Sequence, residues 1–204
     1  IIPSTESANT SPPRPANTPV LPKHEFVAGR LSLDFCNSVS PTRRPTLRDR
    51  IEGPDDFLSW AKRAGAKLEE KPAPKALTRL HRLRSALIGI FHALTEQRTP
   101  TAGDLAIFNE ELAEARAAER LVPDGNGFAV ADLSPQITDR FRHAIARDAG
   151  DLLTSDLRRV KRCPSHDCLW LFHDDSKNLS RRWCAMDDCG TLAKVRRYRE
   201  RASG

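Results

Sequence analysis

The sequence predicts a mainly α-helical protein, in which a helical N-terminal domain with one small β-hairpin precedes a small four-cysteine module with a basic C-terminal helix. Apolar residues recur at three- and four-residue steps through much of residues 54–160, which is the period of amphipathic helices. Four of the five cysteines lie within residues 163–189. The last 47 residues, 158–204, hold 12 basic and six acidic residues and therefore carry the whole net charge of +6.

Composition divides the chain into three parts. Residues 1–22 are rich in Pro, Ser, Thr and Asn and show no apolar periodicity, so we expect a disordered leader there. Residues 23–160 hold enough apolar residues for a helical domain with its own core. Residues 161–204 hold the cysteine module and the basic helix. No run of about 18 apolar residues exists, so no membrane span is expected, and without a secretory signal we expect a cytoplasmic protein.

The start of the helical domain can be read in two ways. Leu31, Leu33 and Phe35 alternate as in a strand, but Leu31, Asp34 and Phe35 also fit one helical turn, so the sequence leaves both open. Residues 38–52 contain prolines and several arginines with few apolar residues. We expect an exposed loop there.

Four amphipathic helices are expected next. Proline or a capping side chain stands at the starts of three of them, where the first amides of a helix have no intrahelical partner. A short β-hairpin separates the third helix from the fourth, with Asn126-Gly127 supplying the positive φ of a tight turn. The expected ranges are 54–64 with a stop at Gly65, 75–95, 102–120 after a capping-box-like Thr101, the hairpin over 121–130, and a helix from Ser134-Pro135 to about residue 160.

The cysteines form two pairs with the same internal gap of four residues. Cys163 and Cys168 are the first pair, Cys184 and Cys189 are the second, and 15 residues separate the pairs. Each pair can fold into a turn that points both sulfurs at one ion, and Zn²⁺ prefers four tetrahedral nitrogen or sulfur ligands. We therefore expect one structural Zn²⁺ that is held by all four cysteines.

Other chemistry at these positions stays open. His166 and His173 are alternative ligands, and a four-cysteine iron–sulfur cluster or a disulfide pair would use the same residues. A zinc site with four protein ligands has no position for a reacting water, and no nucleophile–base pair stands out, so we expect no enzyme. His81, His92 and His143 could form a further ligand site, but surface or core histidines are far commoner.

The basic residues around the cysteines are the candidate nucleic-acid contacts. Three of them share a face about 60° wide on a helix expected over 191–201, opposite an apolar face. Such a face suits a helix laid on a phosphate backbone. The candidates are Arg181, Arg182, Lys194, Arg196, Arg197 and Arg201.

The metal module and its basic face thus favour a zinc-stabilised protein that contacts nucleic acid. DNA is the expected partner, and a homodimer and a small-molecule effector are further partners that the sequence allows. The alternative is a zinc-stabilised module that binds an acidic protein or RNA without specific DNA binding. The effector, the DNA sequence and the sign of regulation are not encoded in any motif.

Several motifs resemble a known family. Cys163-x4-Cys168, Trp170-Leu171-Phe172, Ser180-Arg181-Arg182-Trp183-Cys184 and Cys189-Gly190 closely resemble the CGNR-type zinc finger. The segment from Gly29 to Ser38 resembles the opening of the ABATE domain, which usually precedes that finger. Together the two cover about residues 24–201. The resemblance implies a stress-induced bacterial transcription regulator with a DNA-binding finger. With it, we expect a zinc-dependent DNA-binding transcription regulator whose helical domain senses a ligand or mediates assembly.

The chain departs from the signature that names this finger. The family's Cys-Gly-Asn-Arg is here Cys189-Gly190-Thr191-Leu192, so the Asn and the Arg are absent. The four cysteines are unaffected. A contact with base or phosphate made by the missing Arg is lost.

Overall fold

The structure, a computed structural model, describes residues 26–40, 48–165 and 168–202, so the expected leader over 1–22 lies outside the described residues. Within them, six α-helices and three antiparallel two-stranded ladders follow one another along the chain. The helices are α1 Leu31–Asn37, α2 Pro54–Arg63, α3 Pro74–Thr95, α4 Ala102–Ala117, α5 Ile137–Leu153 and α6 Thr191–Ala202. The ladders join β1 Val39–Ser40 to β2 Arg48–Asp49, β3 Glu119–Asp124 to β4 Gly127–Asp132, and β5 Val160–Arg162 to β6 Leu171–His173.

The mainly helical fold class is confirmed, and the caps explain where α2 and α4 begin. Pro54 is the first residue of α2, and the N–H of Gly53 donates to the Asp56 side chain at 3.2 Å. The Thr101 hydroxyl accepts from the Asp104 N–H at 3.0 Å before α4. Each bond satisfies an amide that the first helical turn leaves unpaired.

The fourth predicted helix was too long. Helix α5 ends at Leu153, because the hydroxyls of Thr154 and Ser155 donate back to the carbonyls of Gly150 and Leu152 at 3.0 and 2.7 Å. A 3₁₀ turn, Leu157–Arg159, then leads into β5. The apolar residues after 153 keep the helical period, but they belong to this turn and to a strand.

The hairpin prediction is confirmed, but the proposed turn residues are wrong. The strands reach Asp124 and Gly127, so the turn consists of Gly125 and Asn126. The positive φ of 56° belongs to Gly125, which stands at the first central position, where a type II′ turn requires glycine. Strand β3 begins at Glu119, so the third helix is also shorter than predicted.

Residues 31–37 are helical, and the described residues of the segment after them form a short ladder and a buried stretch, so the expected exposed loop is wrong for these residues. Positions 48–49 pair with 39–40, and Ile51 is fully buried, while residues 41–47 lie outside the described part of the chain. The buried guanidinium of Arg84 in α3 donates to Ser38 Oγ at 2.8 Å and pairs with Asp49. This bond network holds the ladder on α3, which a count of charged residues could not show.

One main core joins the helices. Trp60 lies at its centre, and the rings of Phe26, Phe35, Phe57 and Phe141 have centroids 5.4 to 6.3 Å from the Trp60 ring or from one another. Edge-to-face and offset contacts at such distances stabilise aromatic pairs beyond their buried area. Val160 and Leu171 of the β5–β6 ladder also belong to this core, so the C-terminal module is anchored in it. No helix in the described ranges is both long and apolar enough to cross a membrane.

Candidate metal centre

Four cysteine sulfurs of the C-terminal module lie together. The Sγ atoms of Cys163, Cys168, Cys184 and Cys189 are all within 4.8 Å of one another. The Cys184 sulfur lies 3.7 Å from that of Cys168 and 3.6 Å from that of Cys189. A tetrahedron with Zn–S bonds of about 2.3 Å has sulfur–sulfur edges of about 3.8 Å. The sulfurs therefore have the spacing of a tetrahedral zinc site.

The protonation chemistry of the cluster also favours a cation. Three of the sulfurs are buried, and hydrogen bonding with the Cys163 sulfur, together with the other two sulfurs and burial, raises the pKa of the Cys184 thiol. Four thiolates cannot coexist here without a compensating charge. A divalent ion with a preference for thiolate supplies that charge and fills all four positions, so its role is structural.

The β5–β6 ladder presents the first cysteine pair. Cys163 follows β5 directly, and its N–H donates to the Trp170 carbonyl at 2.8 Å, which extends the ladder by one step. The N–H of Cys168 donates to the Ser165 carbonyl at 3.1 Å. These two bonds fix the backbone of Cys163 and of Cys168, the two ligands of the first pair.

The second pair is presented by a π-helical turn, Met186–Gly190, that runs into α6. The Gly190 N–H donates to the Ala185 carbonyl at 3.1 Å. A Cβ at Gly190 would lie 2.5 Å from the sulfur of Met186 and 3.3 Å from Trp183. Glycine after Cys189 thus permits the close packing of the turn against these side chains.

A small apolar core surrounds the sulfurs. Trp170 is buried and Phe172 is fully buried, and Val27 and Trp183 pack against them. The Arg50 guanidinium lies over the Trp170 ring, 4.9 Å from its centroid. Trp170 is packed in this core, so its ring is not presented for stacking on a base. Because Val27 comes from the N-terminal segment, the module does not build its core alone.

A buried carboxylate orders the loop between the cysteine pairs. Asp174 is fully buried and accepts from Lys161 Nζ at 2.6 Å, from the Ser176 N–H at 2.9 Å and from the Arg181 N–H at 3.0 Å. Burial by itself would raise the pKa of Asp174, but Lys161 and Ser176 together hold that pKa well below its usual range. Asp174 therefore stays ionised and fixes the loop to β5.

Arg181 is an internal clamp. Its guanidinium donates to the carbonyls of Val27 at 2.5 Å, Cys184 at 2.6 Å, His173 at 3.0 Å and Trp183 at 3.2 Å. Four of its five N–H donors are thereby used inside the protein. The sequence suggested that Arg181 contacts nucleic acid, because an arginine next to a cysteine pair is expected to be exposed. The bonds to four internal carbonyls could not be predicted from that pattern.

Two further contacts lock the module to the helical domain. The amide of Asn37 in α1 donates to the Leu171 carbonyl at 2.8 Å and accepts from the Leu171 N–H at 2.9 Å. The His173 N–H donates to the Ala28 carbonyl at 2.7 Å. The residues that form these contacts are at least 134 positions apart in the sequence, so no local sequence pattern reveals the contacts.

The other five predicted nucleic-acid residues are exposed on one module. Among the described residues, none of them has a carboxylate partner, and Arg197 makes only a bond of 3.4 Å to the Ala193 carbonyl of its own helix. Helix α6 covers the predicted range, but no residue in it is buried. The exposed set is Arg182, Lys194, Arg196, Arg197 and Arg201.

The histidines have other partners. Nδ1 of His173 lies 2.7 Å from Asp175, and His166 lies outside the described residues. Nε2 of His81 lies 2.7 Å from the Ile51 carbonyl. Among the described residues, the four cysteines are the only His, Cys, Asp or Glu group with the geometry of a metal site.

The surroundings of His143 do not form a catalytic relay. Its Nδ1 lies 2.8 Å from Asp132 and 3.3 Å from the Ser134 hydroxyl, so both groups meet the same nitrogen. A nucleophile and an orienting carboxylate must contact opposite ring nitrogens. The contacts of His143 with Asp132 and Ser134 therefore join α5 to the end of the hairpin.

Comparison with known families agrees with this geometry. Residues 29–156 match the model of the ABATE domain, described as "Putative stress-induced transcription regulator", and this match covers more than half of the chain. The chain belongs to the ABATE family. Residues 159–202 of this ABATE protein match the CGNR zinc finger. No curated protein matches the chain.

The matched finger and the sulfur cluster identify the cofactor of this ABATE protein. The finger match contains all four cysteines, and their sulfurs lie together at zinc-site spacing. The protein thus holds one structural Zn²⁺ in a CGNR zinc finger. Neither family is an enzyme family, and both matches point to a zinc-binding regulator.

Proposed function

We propose that this protein is a DNA-binding transcription regulator whose zinc finger contacts the phosphate backbone. The observation that carries the proposal is the exposed cationic surface that the zinc-bound turns and α6 hold in place. Arginine and lysine side chains without carboxylate partners bind phosphate and release its counterions. The ABATE family description supports the same conclusion.

Helix α6 offers a stripe that suits the DNA backbone. Lys194, Arg197 and Arg201 are separated by three and four residues and span about 10 Å along the helix at 1.5 Å per residue. One strand of B-DNA places about three phosphates in that length of axis. The stripe can therefore neutralise several successive phosphates of one strand.

The replaced signature residues favour backbone contact over base reading. The Thr191 hydroxyl donates to the Met186 carbonyl at 3.2 Å, so Thr191 stabilises the turn that carries Cys189. Leu192 is exposed and has no polar group that could read a base edge. We infer binding that depends on charge far more than on sequence.

A protein-binding module is the second candidate, and the apolar side of α6 favours it. Leu192, Val195 and Tyr198 are 60%, 41% and 75% exposed, whereas the sequence placed them on an apolar face. In this alternative the basic face of the module would bind an acidic protein, and the apolar side of α6 would pack against the same partner. The helical domain in either case serves assembly or the response to an effector.

The test is selection of bound sequences from a pool of random duplex DNA with the zinc-loaded full chain. We expect retention of DNA at low salt, and weak retention by a Lys194→Ala, Arg197→Ala, Arg201→Ala variant. A Lys62→Ala, Lys67→Ala variant, which removes charges from exposed positions of α2 and the following loop, is the control and should retain DNA normally. If the zinc-loaded protein retains no duplex DNA at low salt, the DNA-binding function is wrong.

A further inference from the structure

A groove beside the zinc finger is lined by residues of α3, β5, β6 and α6. It has a volume of about 830 Å³, and its lining includes Thr95 at the end of α3, both residues of the first cysteine pair, and Phe172 in β6. Five of its lining residues are cationic, and none of the described lining residues carries a carboxylate. The cations are Lys161, Arg162, Arg181, Arg182 and Arg196.

Two of these cations have fixed internal roles. Lys161 Nζ contacts Asp174 at 2.6 Å and the Leu179 carbonyl at 2.6 Å, and the Arg181 guanidinium holds four carbonyls. They cannot leave these partners without opening the finger. Lys161 and Arg181 therefore form the wall of the groove and are not available to bind a ligand.

The other three cations can meet a ligand. Arg182 and Arg196 are exposed, and within the described ranges neither has a carboxylate partner. Arg162 is about one-third exposed and pairs with Glu96, which directly follows α3. Glu96 also pairs with Arg98, so its carboxylate is shared between two guanidinium groups.

We propose that this groove is a second phosphate-binding position of the finger, in which Arg182 and Arg196 hold the DNA backbone and Glu96 competes with the phosphates for Arg162. This proposal rests on the proposed function and adds a position that the α6 stripe does not contain. Guanidinium groups bind phosphate oxygens in a bidentate manner, and they do so best where several point into one concave surface.

Glu96 gives the groove a link to the helical domain. The residue follows the last turn of α3, whereas Arg162 directly precedes the zinc ligand Cys163. While Glu96 holds Arg162, one cation of the groove is neutralised. A phosphate that takes Arg162 breaks this bond between α3 and the finger, so DNA binding and the position of the α3 end are coupled.

The experiment compares salt dependence for zinc-loaded full-length variants with a random-sequence duplex. Each phosphate contact contributes about −0.9 to the slope of log affinity against log salt. We expect Arg182→Ala, Arg196→Ala to reduce the slope by about 1.8, which makes the loss of affinity from about 50 to 200 mM salt roughly twelvefold smaller. The Lys62→Ala, Lys67→Ala control should keep the slope of the unaltered protein.

A gain-of-function variant tests Glu96. We expect Glu96→Gln to release Arg162 and to steepen the slope by up to about 0.9. Glu70→Gln, which removes one negative charge at another exposed position, should leave the slope unchanged. Because binding becomes stronger, damage to the fold cannot explain this result.

The outcomes separate the groove from the finger's function. A slope that falls only in the α6 triple variant and not in the Arg182, Arg196 variant overturns the groove but leaves DNA binding standing. An unchanged slope in Glu96→Gln overturns the competition with Glu96. No binding by the unaltered protein refutes the proposed function itself. The last arm adds inorganic phosphate at matched ionic strength. If phosphate displaces DNA from the unaltered protein but not from the Arg182→Ala, Arg196→Ala variant, the groove is a site for small anions and not for the DNA backbone.

Discussion

Asn37 offers the sharpest test of how the zinc finger and the helical domain form one structure. The residue is 4% exposed, and its amide makes two hydrogen bonds to the backbone of Leu171, with lengths of 2.8 and 2.9 Å. Leu171 is 1% exposed and belongs to the β strand that carries the finger. Replacement by alanine would leave a buried N–H and a buried carbonyl without these partners.

The expected cost follows from those two orphaned groups. An unsatisfied buried donor or acceptor costs about 1–3 kcal/mol, so the loss of two such bonds in Asn37→Ala should lower the free energy of unfolding by about 2–6 kcal/mol. Loosening β6 should also make the cysteine turns open more often. Zinc transfer to a chromogenic chelator should therefore become faster in the variant.

Urea unfolding of the zinc-loaded protein measures the first effect, and chelator kinetics measure the second. Asn109→Ala is the control, because Asn109 is exposed on α4 and its loss should change stability by less than about 0.5 kcal/mol. The reasoning would be refuted if Asn37→Ala changed stability as little as the control and released zinc at the normal rate. That result would mean that the finger is an independent module.

Three other predictions concern the cluster, the clamp and a buried acid. Cys184→Ser should reduce bound zinc from one ion per chain toward none, as measured by elemental analysis. Arg181→Ala should lose at least about 2 kcal/mol of stability in urea because four carbonyls lose a charged donor, whereas Arg182→Ala should change stability by less than about 0.5 kcal/mol. Burial raises the pKa of Asp34 from 3.8 to about 6. The folded protein therefore binds a proton at Asp34 more readily than the unfolded chain does. Asp34 should contribute about 1 kcal/mol more stability at pH 5 than at pH 7 in urea unfolding. This difference should vanish in Asp34→Asn, and the reasoning is wrong if it persists there.

The helices and the metal ligands could be predicted because both depend on regular spacing. The apolar period sets α3 over nearly the expected range, and the paired cysteines bring their own sulfurs together. The end of α5 could not be predicted in the same way. Its apolar period continues past Leu153, whereas the hydroxyls of Thr154 and Ser155 donate to the helix carbonyls of Gly150 and Leu152 where the helix ends.

The contacts between distant parts of the chain were also beyond the sequence. Arg181 reads as a surface charge, but the carbonyl of Val27, 154 positions away, and three carbonyls of the finger surround its guanidinium. Conversely, the apolar side of α6 suggests a buried face, and Tyr198 is 75% exposed. Local period reports which face of a helix is apolar, but the presence of a partner depends on tertiary structure.

The coupling of the finger to the helical domain has a functional consequence. Val27 packs beside the zinc ligands, and Leu171 packs in the main core. Loss of zinc should therefore disturb the contact between the two parts as well as the surface that we propose to bind DNA. An effector that shifts the helical domain would act on the finger through the same contacts.

The most direct test of the central claim is the salt dependence of duplex DNA affinity, measured with zinc-loaded and zinc-stripped full chain. Five exposed cations of the finger can each neutralise one phosphate, so a slope of about −4.5 is expected for the zinc-loaded protein. The zinc-stripped protein should show a much shallower slope, because its turns no longer hold these cations in one surface. Equal slopes with and without zinc, or no measurable affinity near 50 mM salt, would contradict the claim that this zinc finger binds the DNA backbone.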